Sequence, residues 1–484
     1  MSSLPDDSRD GIERFWEQLA EVQRVAPEGL TYLVEPAEAA PGAGIEPRYV
    51  YEANIILVPA ADMTAVRRYN TTAPDEDGAA PGVRRLRLDD GIHVPTEVRR
   101  INSAYLRDNP GTAGPGGGAA GGAGSAGSPA GRRPPLASPN HLVSIAGVNL
   151  CPAAEPRPVP PVTPLWPRPG PAGAPAATTA GPAGTGVSVL VIDTGFQPGV
   201  ADRHPLLAGV TMVGGPRQEF GSEPGLATVI KEYAGHGTFV TGVLLTEAPG
   251  ASVQVSSLLQ GAGALDEDAL GGGIMALLND SGRPWPQIIS ISGGSTTQDS
   301  QSLTGLVALL DELALHPETV LIAAAGNDGS STSPLYPAGD ALTHPGVISV
   351  GALRRDGRGR ACFSNFGDWV TVYTYGEDVI NYFPAGTYAY QHGSTAACRY
   401  RAPALYPDCS CVTPTRYGDL VAFDGIASWS GTSFAAPRVA GMVAAHMTRT
   451  GEASDARAAA RDLLARYATA INDAADQREL LALR

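Results

Sequence analysis

The stretch Ser430-Gly431-Thr432-Ser433-Phe434-Ala435-Ala436-Pro437 runs straight into the helical pattern Arg438 to Met447. Small residues ahead of Ser433 let a substrate backbone come close to the hydroxyl. The helix behind it leaves unpaired N–H groups over the same spot. Such a turn suits a nucleophile whose product is an oxyanion. It suits equally a Ser-rich turn that caps an ordinary helix. The two readings part on whether the chain supplies a base, an orienting acid and an oxyanion donor elsewhere.

From Gly186 strand and helix alternate. Val187 to Ile192 is a continuous apolar run, as a parallel strand buried on both faces requires, and similar runs recur at Val253 to Leu259, Ile288 to Ile291, Thr319 to Ala325 and Val347 to Val350. Helical patterns lie between them at Leu265 to Leu278 and Leu303 to Leu315. The expected fold is α/β, a mainly parallel sheet with helices on both faces. In such sheets active residues gather beyond the carboxyl ends of the strands. Asp193 directly follows the first run, and Asn327 follows a later one.

Asp193 lies in Val191-Ile192-Asp193-Thr194-Gly195. A carboxylate there costs free energy without a fixed partner; the plainer alternative is a turn cap. His236 lies in Gly235-His236-Gly237-Thr238, opening an apolar helix, and its flanking glycines let the imidazole stand clear. Alone, a His at a helix start reads as structural. Asn327 lies in Ala324-Ala325-Gly326-Asn327-Asp328-Gly329, otherwise an ordinary turn. Taken together, Asp, His and Ser in that chain order, each in a Gly-flanked motif, form one of the orders in which a catalytic triad occurs.

On these motifs residues 184 to about 450 resemble the catalytic domain of subtilisin-like serine proteases, the subtilases. The resemblance implies a subtilisin-like fold and a serine endopeptidase that needs no cofactor and no catalytic metal. Ser433 would attack the peptide carbonyl, and His236 would take its proton and pass it to the leaving amine. Asp193 would hold the imidazole in the productive tautomer. Asn327 matches the oxyanion-hole residue, acting with the Ser433 N–H. The resemblance also implies a substrate backbone added as a strand between two edge segments. Here these match Gly261-Ala262-Gly263-Ala264 and Ser292-Gly293-Gly294. Ser292 to Gly294 and Ala324-Ala325-Gly326 would wall the P1 pocket, with Leu335 at its base. A Leu there, where some relatives carry Gly, shortens the pocket and favours a small or medium P1 residue. Phe434 replaces a commoner Met and Phe239 a commoner His, both as apolar packing changes. No calcium site can be assigned.

An insertion from about Tyr382 to Phe423 precedes the nucleophile and holds His392, Cys398, Cys409 and Cys411. Zinc ligation, one disulfide and free thiols all fit those residues. Cys151 and Cys362 stand alone, and five cysteines are too few for a disulfide scaffold.

The first 108 residues read as a small α+β domain. Ile12, Phe15, Trp16, Leu19 and Val22 give an amphipathic helix over 10–24. Strands are expected at Leu30 to Val34 and Tyr49 to Val58, a short helix at Ala61 to Arg68, and an alternating strand pattern through Val83 to Val94 with a turn at Asp89-Asp90-Gly91. Residues 109–140 form a Gly/Ala/Pro-rich linker. Residues 141–183 add a short strand, His141 to Cys151, and a Pro-rich connector. Residues 184–484 are the catalytic domain, closing on a helix over Asp455 to Ile471. Two roles fit the N-terminal domain: a propeptide that blocks the cleft until cut away, or a permanent regulatory or substrate-recruiting domain. The second is preferred because no export signal stands at Met1 to Arg9.

A formal net charge of −15 argues against nucleic acid or an anionic membrane as partner, and no apolar run reaches bilayer length. The expected partner is a peptide or protein substrate, met in the cytoplasm, with restricted specificity; general degradation and an inactive peptide-binding module are the alternatives.

Overall fold

The apolar runs pair with one another. In the computed structural model, which describes residues 9–27, 29–36, 38–39, 47–110, 136–145, 155–169, 181–214, 229–230, 233–259, 263–390, 418–451 and 454–484, they form one large sheet. Its order is 469–472, 479–482, 372–375, 347–353, 320–324, 288–291, 188–192, 252–256, 211–213. Every pairing is parallel except the C-terminal hairpin. Ser188–Ile192 lies between Ser252–Ser256 and Ile288–Ile291, where the strand order reverses. A cleft opens outside the carboxyl ends of strands at such a point.

The strands are apolar throughout because both faces are covered. Val189 and Val191 enter a core with Phe239, Val240 and Val443, from helices α4 (His236–Glu247) and α7 (Thr432–Thr450). Leu190 and Ile192 enter another with Leu270, Ile274, Leu309 and Leu313, from α5 (Glu267–Leu278) and α6 (Val307–Leu315). The predicted α/β architecture with helices on both faces is therefore what the chain adopts. Several helix boundaries differ from expectation: α6 starts at Val307 and not at Leu303, and α7 starts at Thr432, ahead of Arg438. The helix predicted from Leu265 starts at Glu267, because Asp266 caps it by accepting the Ala269 N–H at 3.0 Å, and Ala264–Asp266 is a strand. The C-terminal helix is α8 (Ala456–Tyr467), shorter than Asp455 to Ile471, and Thr469–Asn472 turns into the sheet edge.

The N-terminal region builds a second, antiparallel sheet. Its strands are β1 (Tyr32–Glu35), β2 (Tyr49–Pro59), β3 (Asp75–Asp77), β4 (Val83–Arg87) and β5 (Ser138–Ser144). The order is β5-β2-β4-β3, with β1 also on β2. Helix α1 (Arg9–Val25) matches the predicted amphipathic helix, and α2 is the short Met63–Val66. The strand pattern read through Val94 stops at Arg87, and a helix unforeseen in the sequence, α3 (Val94–Asp108), follows. Val98 and Ile101 of α3 pack on Ile56, Val58 and Leu86, a spacing that fits helix better than strand.

β5 begins at Ser138, inside the stretch read as linker. Of the insertion, Gly386–Ala389 and Leu420–Phe423 pair antiparallel. His392, Cys398, Cys409 and Cys411 lie outside the described residues, as do Cys151, Gly261 and Ala262.

Candidate active site

The carboxyl end of Ser188–Ile192 delivers Asp193, fully buried. Its Oδ1 accepts the Thr194 N–H at 2.7 Å and faces His236 Nδ1 at 2.8 Å. Oδ2 is buried with no hydrogen-bond partner among the described residues. His236 opens α4, which crosses tight against the turn after Asp193. A Cβ on Gly237 would fall 2.1 Å from the Gly195 carbonyl oxygen, so only glycine permits that approach. Trp429 stands edge-on to the imidazole at 5.4 Å and Phe434 tilts over it at 5.5 Å. Phe239 joins both aromatics, 4.6 Å from Phe434. The replacements at 239 and 434 are thus one aromatic wall behind the imidazole.

Ser433 is the second residue of α7. Its hydroxyl donates to the Ser292 carbonyl at 3.3 Å, a long bond, and its own carbonyl accepts from Ser292 Oγ at 3.0 Å. No hydrogen bond joins Ser433 to His236 among the described residues; catalytic bonds of this kind are often long until substrate arrives. Asn327 Oδ1 accepts from the Thr432 N–H at 2.8 Å and the Thr432 hydroxyl at 2.9 Å. Thr432 Oγ1 in turn accepts the Gly326 N–H at 3.0 Å. With Oδ1 so held, the Nδ2 group is left on the side of Gly431, 3.6 Å from its Cβ position. A carbonyl over Ser433 would find that amide and the helix N-terminus together.

Strand β5 runs between the two segments expected to hold substrate. β5 lies antiparallel to Ala264–Asp266, with Val143 opposite Leu265 and Ser144 opposite Ala264. On its other side Ser144 exchanges both backbone bonds with Gly294, at 3.0 and 2.9 Å, and the Ile145 N–H donates to the Gly263 carbonyl at 3.0 Å. Gly263 and Gly294 belong to the two segments expected to hold substrate, so β5 sits as substrate would. Helix α1 leans over it. Phe15 and Val22 pack with Leu142, and Gln18 Nε2 donates to Ser144 Oγ at 2.9 Å.

Gly293 stands beside β5, where an added Cβ would lie 3.3 Å from the Ser144 carbonyl oxygen. Ala324 ends its strand, and the Ala325 N–H bonds the Val350 carbonyl. Leu335 is buried and lies against Gly294 and Gly326, two of the residues expected to wall the P1 pocket. A Cβ on Gly294 would meet Leu335 Cγ at 2.6 Å, and one on Gly326 would meet Cδ2 at 3.2 Å. Thr432, Trp429 and Leu142 to Ile145 were missed in the sequence. Thr432 could have been found as the hydroxyl next to the nucleophile.

The sequence model of the subtilase family matches residues 184–480. The chain belongs to the subtilase family. This subtilase is 32% identical over 233 residues to the intracellular serine protease of Paenibacillus polymyxa, covering 46% of this chain and 65% of that protein. It is 30% identical over 222 residues to the thermophilic serine proteinase of Bacillus sp. strain AK1, covering 44% of this chain and 49% of that one. The alignments thus span about half to two thirds of these relatives. In fold it resembles fervidolysin from Fervidobacterium pennivorans, with a TM-score of 0.50 at 20% identity, over 90% of this chain and 60% of that one. Among the described residues no helix is long and apolar enough to cross a membrane.

Proposed function

We propose that this subtilase is a serine endopeptidase of restricted, processing-type specificity, held latent by its own N-terminal domain. The carrying observation is that Asp193 binds His236 beyond the carboxyl ends of the strands, where Ser433 and Asn327 also stand. In the proposed reaction His236 removes the Ser433 proton as Oγ attacks the peptide carbonyl. Asn327 Nδ2 and the Ser433 N–H receive the oxyanion, and the imidazolium protonates the leaving amine. Water then hydrolyses the acyl-enzyme by the same route. Asp193 orients the imidazole and steadies its cation.

Latency is supported by the strand bonds of Ser144 and Ile145 to Gly294 and Gly263. They favour the cleft-blocking role over the substrate-recruiting one for residues 1–108 and for β5. Restricted specificity is supported by Leu335, whose bulk beneath Gly294 and Gly326 leaves room for a small P1 side chain. A peptide library selecting Phe, Tyr or Arg at P1 would rule this out. A cytoplasmic site of action rests on the likeness to a relative named for its intracellular occurrence.

The test is a fluorophosphonate probe on the purified chain and on Ser433→Ala, followed by N-terminal sequencing. Wild type should label at Ser433 and the variant should not. Active wild type should carry a new N-terminus beyond Ile145 and no later than roughly residue 180. Equal labelling of both proteins would remove Ser433 from the mechanism, and a wild type that never labels would favour a peptide-binding module.

A further inference from the structure

We propose that Asn365 is a positioning residue for Asn327, so that oxyanion stabilisation depends on a side chain outside the four chemical positions. The inference rests on the reading above that Asn327 donates to the oxyanion.

Asn365 is fully buried and follows Cys362-Phe363-Ser364. The bonds of its side chain all go to the loop that carries Asn327. Its Oδ1 accepts the Asp328 N–H at 3.0 Å and the Ser330 N–H at 2.9 Å. Its Nδ2 donates to the Ala325 carbonyl at 3.0 Å and lies 3.5 Å from Asp328 Oδ2. Its backbone N–H donates to the Gly326 carbonyl at 3.0 Å. One residue thus ties the chain before Asn327 to the chain after it.

The fit is close. Gly326 has φ +104°, and a Cβ there would fall 2.4 Å from Asn365 Nδ2. The neighbouring backbone repeats the attachment: Gly329 N–H donates to the Phe363 carbonyl at 2.7 Å, and Phe366 N–H to the Ser330 carbonyl at 2.9 Å. Asn327 is therefore fixed from two directions. Thr432 holds its side-chain oxygen, and Asn365 holds the backbone on which the side chain is mounted. A donor aimed at a transient charge gains its effect from being placed beforehand, and small misplacements are costly. Removing Asn365 cannot cost more turnover than removing Asn327 itself, about 10² to 10³, unless it also unfolds the loop.

The competing account is that Asn365 only stabilises the fold. The two differ in kinetics. Hydrolysis of a chromogenic peptide anilide with Ala at P1 would be measured for the purified full chain and any form it processes to. For Asn365→Ser we expect kcat to fall about 10- to 100-fold with KM within about threefold, the pattern of a lost transition-state interaction. For Asn365→Asp, whose second carboxylate oxygen would face the Ala325 carbonyl and Asp328 Oδ2 in place of the donor, a fall at least as large is expected. The double variant Asn327→Ala/Asn365→Ser should lie within about twofold of Asn327→Ala alone, because a residue acting through Asn327 has nothing left to position. Wild-type kcat in Asn365→Ser, or losses that multiply in the double variant, would overturn the proposal. If Asn365→Ser does not fold, the same cycle run with Asn365→Asp decides it. An active wild type with a slow Asn327→Ala and an unaffected Asn365→Ser sinks this inference alone. An inert wild type sinks the protease reading with it.

Discussion

The carboxyl-terminal edge of the strands, where Asp193, His236 and Ser433 stand, is walled by aromatic and apolar side chains, whereas the seam between β5 and the catalytic unit is lined with buried carboxylates. At the edge, Phe239, Phe434 and Trp429 close on the imidazole, and Asp193 is the one acid they enclose among the described residues. Along the seam lie Glu52, Asp266, Glu267 and Asp268. Arg85 binds Glu52 at 2.7 Å and Asp268 at 3.1 Å. Asn140 bridges Glu52 and Asp266 at 2.6 and 3.0 Å. His141 stands 2.6 Å from Glu267, which also accepts the His141 and Gly305 N–H groups at 3.0 and 2.8 Å. Burial pushes the Glu52 carboxyl above its ordinary value against the pull of Arg85. The edge is held by shape. The seam is held by partners that water can replace, and a buried ion pair gains little over its separated, hydrated members.

The largest effect tests the edge. Asn327→Ala should fold normally, since the only side-chain bonds it takes from the described fold are those of Oδ1 to Thr432, and with Nδ2 gone it should lower turnover about 10² to 10³-fold. Near-wild-type turnover would break the reading of the edge as a preorganised oxyanion site. The next tests the seam. Ser144→Pro removes the N–H that donates to Gly294 and orphans that carbonyl, a penalty of about 1–3 kcal/mol. That corresponds to labelling of Ser433 in the full chain about 5- to 150-fold faster. Unchanged labelling would mean that β5 does not guard Ser433.

The edge was legible in the sequence because its chemistry demands particular residues at strand ends. Asp193, His236, Asn327 and Ser433 each announce themselves by glycines nearby, of which Gly237 is required by the close approach of α4 to Gly195. The seam was not legible in this way. Ser138-Pro139-Asn140-His141-Leu142-Val143-Ser144 reads as any short strand, and its place in the groove follows from a register set by residues more than a hundred positions away. Asn365 escaped for a similar reason, since its partners are backbone groups that leave no side-chain pattern. The helix α3 was the opposite case. Its spacing at Val94, Val98 and Ile101 was visible, and the preceding alternation in β4 drew the strand reading across it.

A carboxylate outside the seam sharpens the comparison with the smallest effect. Asp340 lies in the turn beyond Leu335-Tyr336-Pro337, almost fully buried, and its side chain is met by the Ser302 hydroxyl instead of several N–H donors. Burial pushes its carboxyl up to about 7, against the opposing Ser302 bond. A folded-state value above the unfolded one means that the stability contribution is fully present below about pH 4 and is lost as pH rises through about 7. In Asp340→Asn the accepting oxygen remains and the titration is gone. Thermal unfolding of both proteins from pH 5 to 8 should therefore show the variant gaining on wild type by about 1.4 kcal/mol per pH unit up to about pH 7, then levelling off. Activity at neutral pH should change little, because Asp340 touches neither the groove nor the triad. A constant offset between the two curves would mean that Asp340 is ionised in the fold, and that this part of the catalytic unit tolerates charge as the seam does.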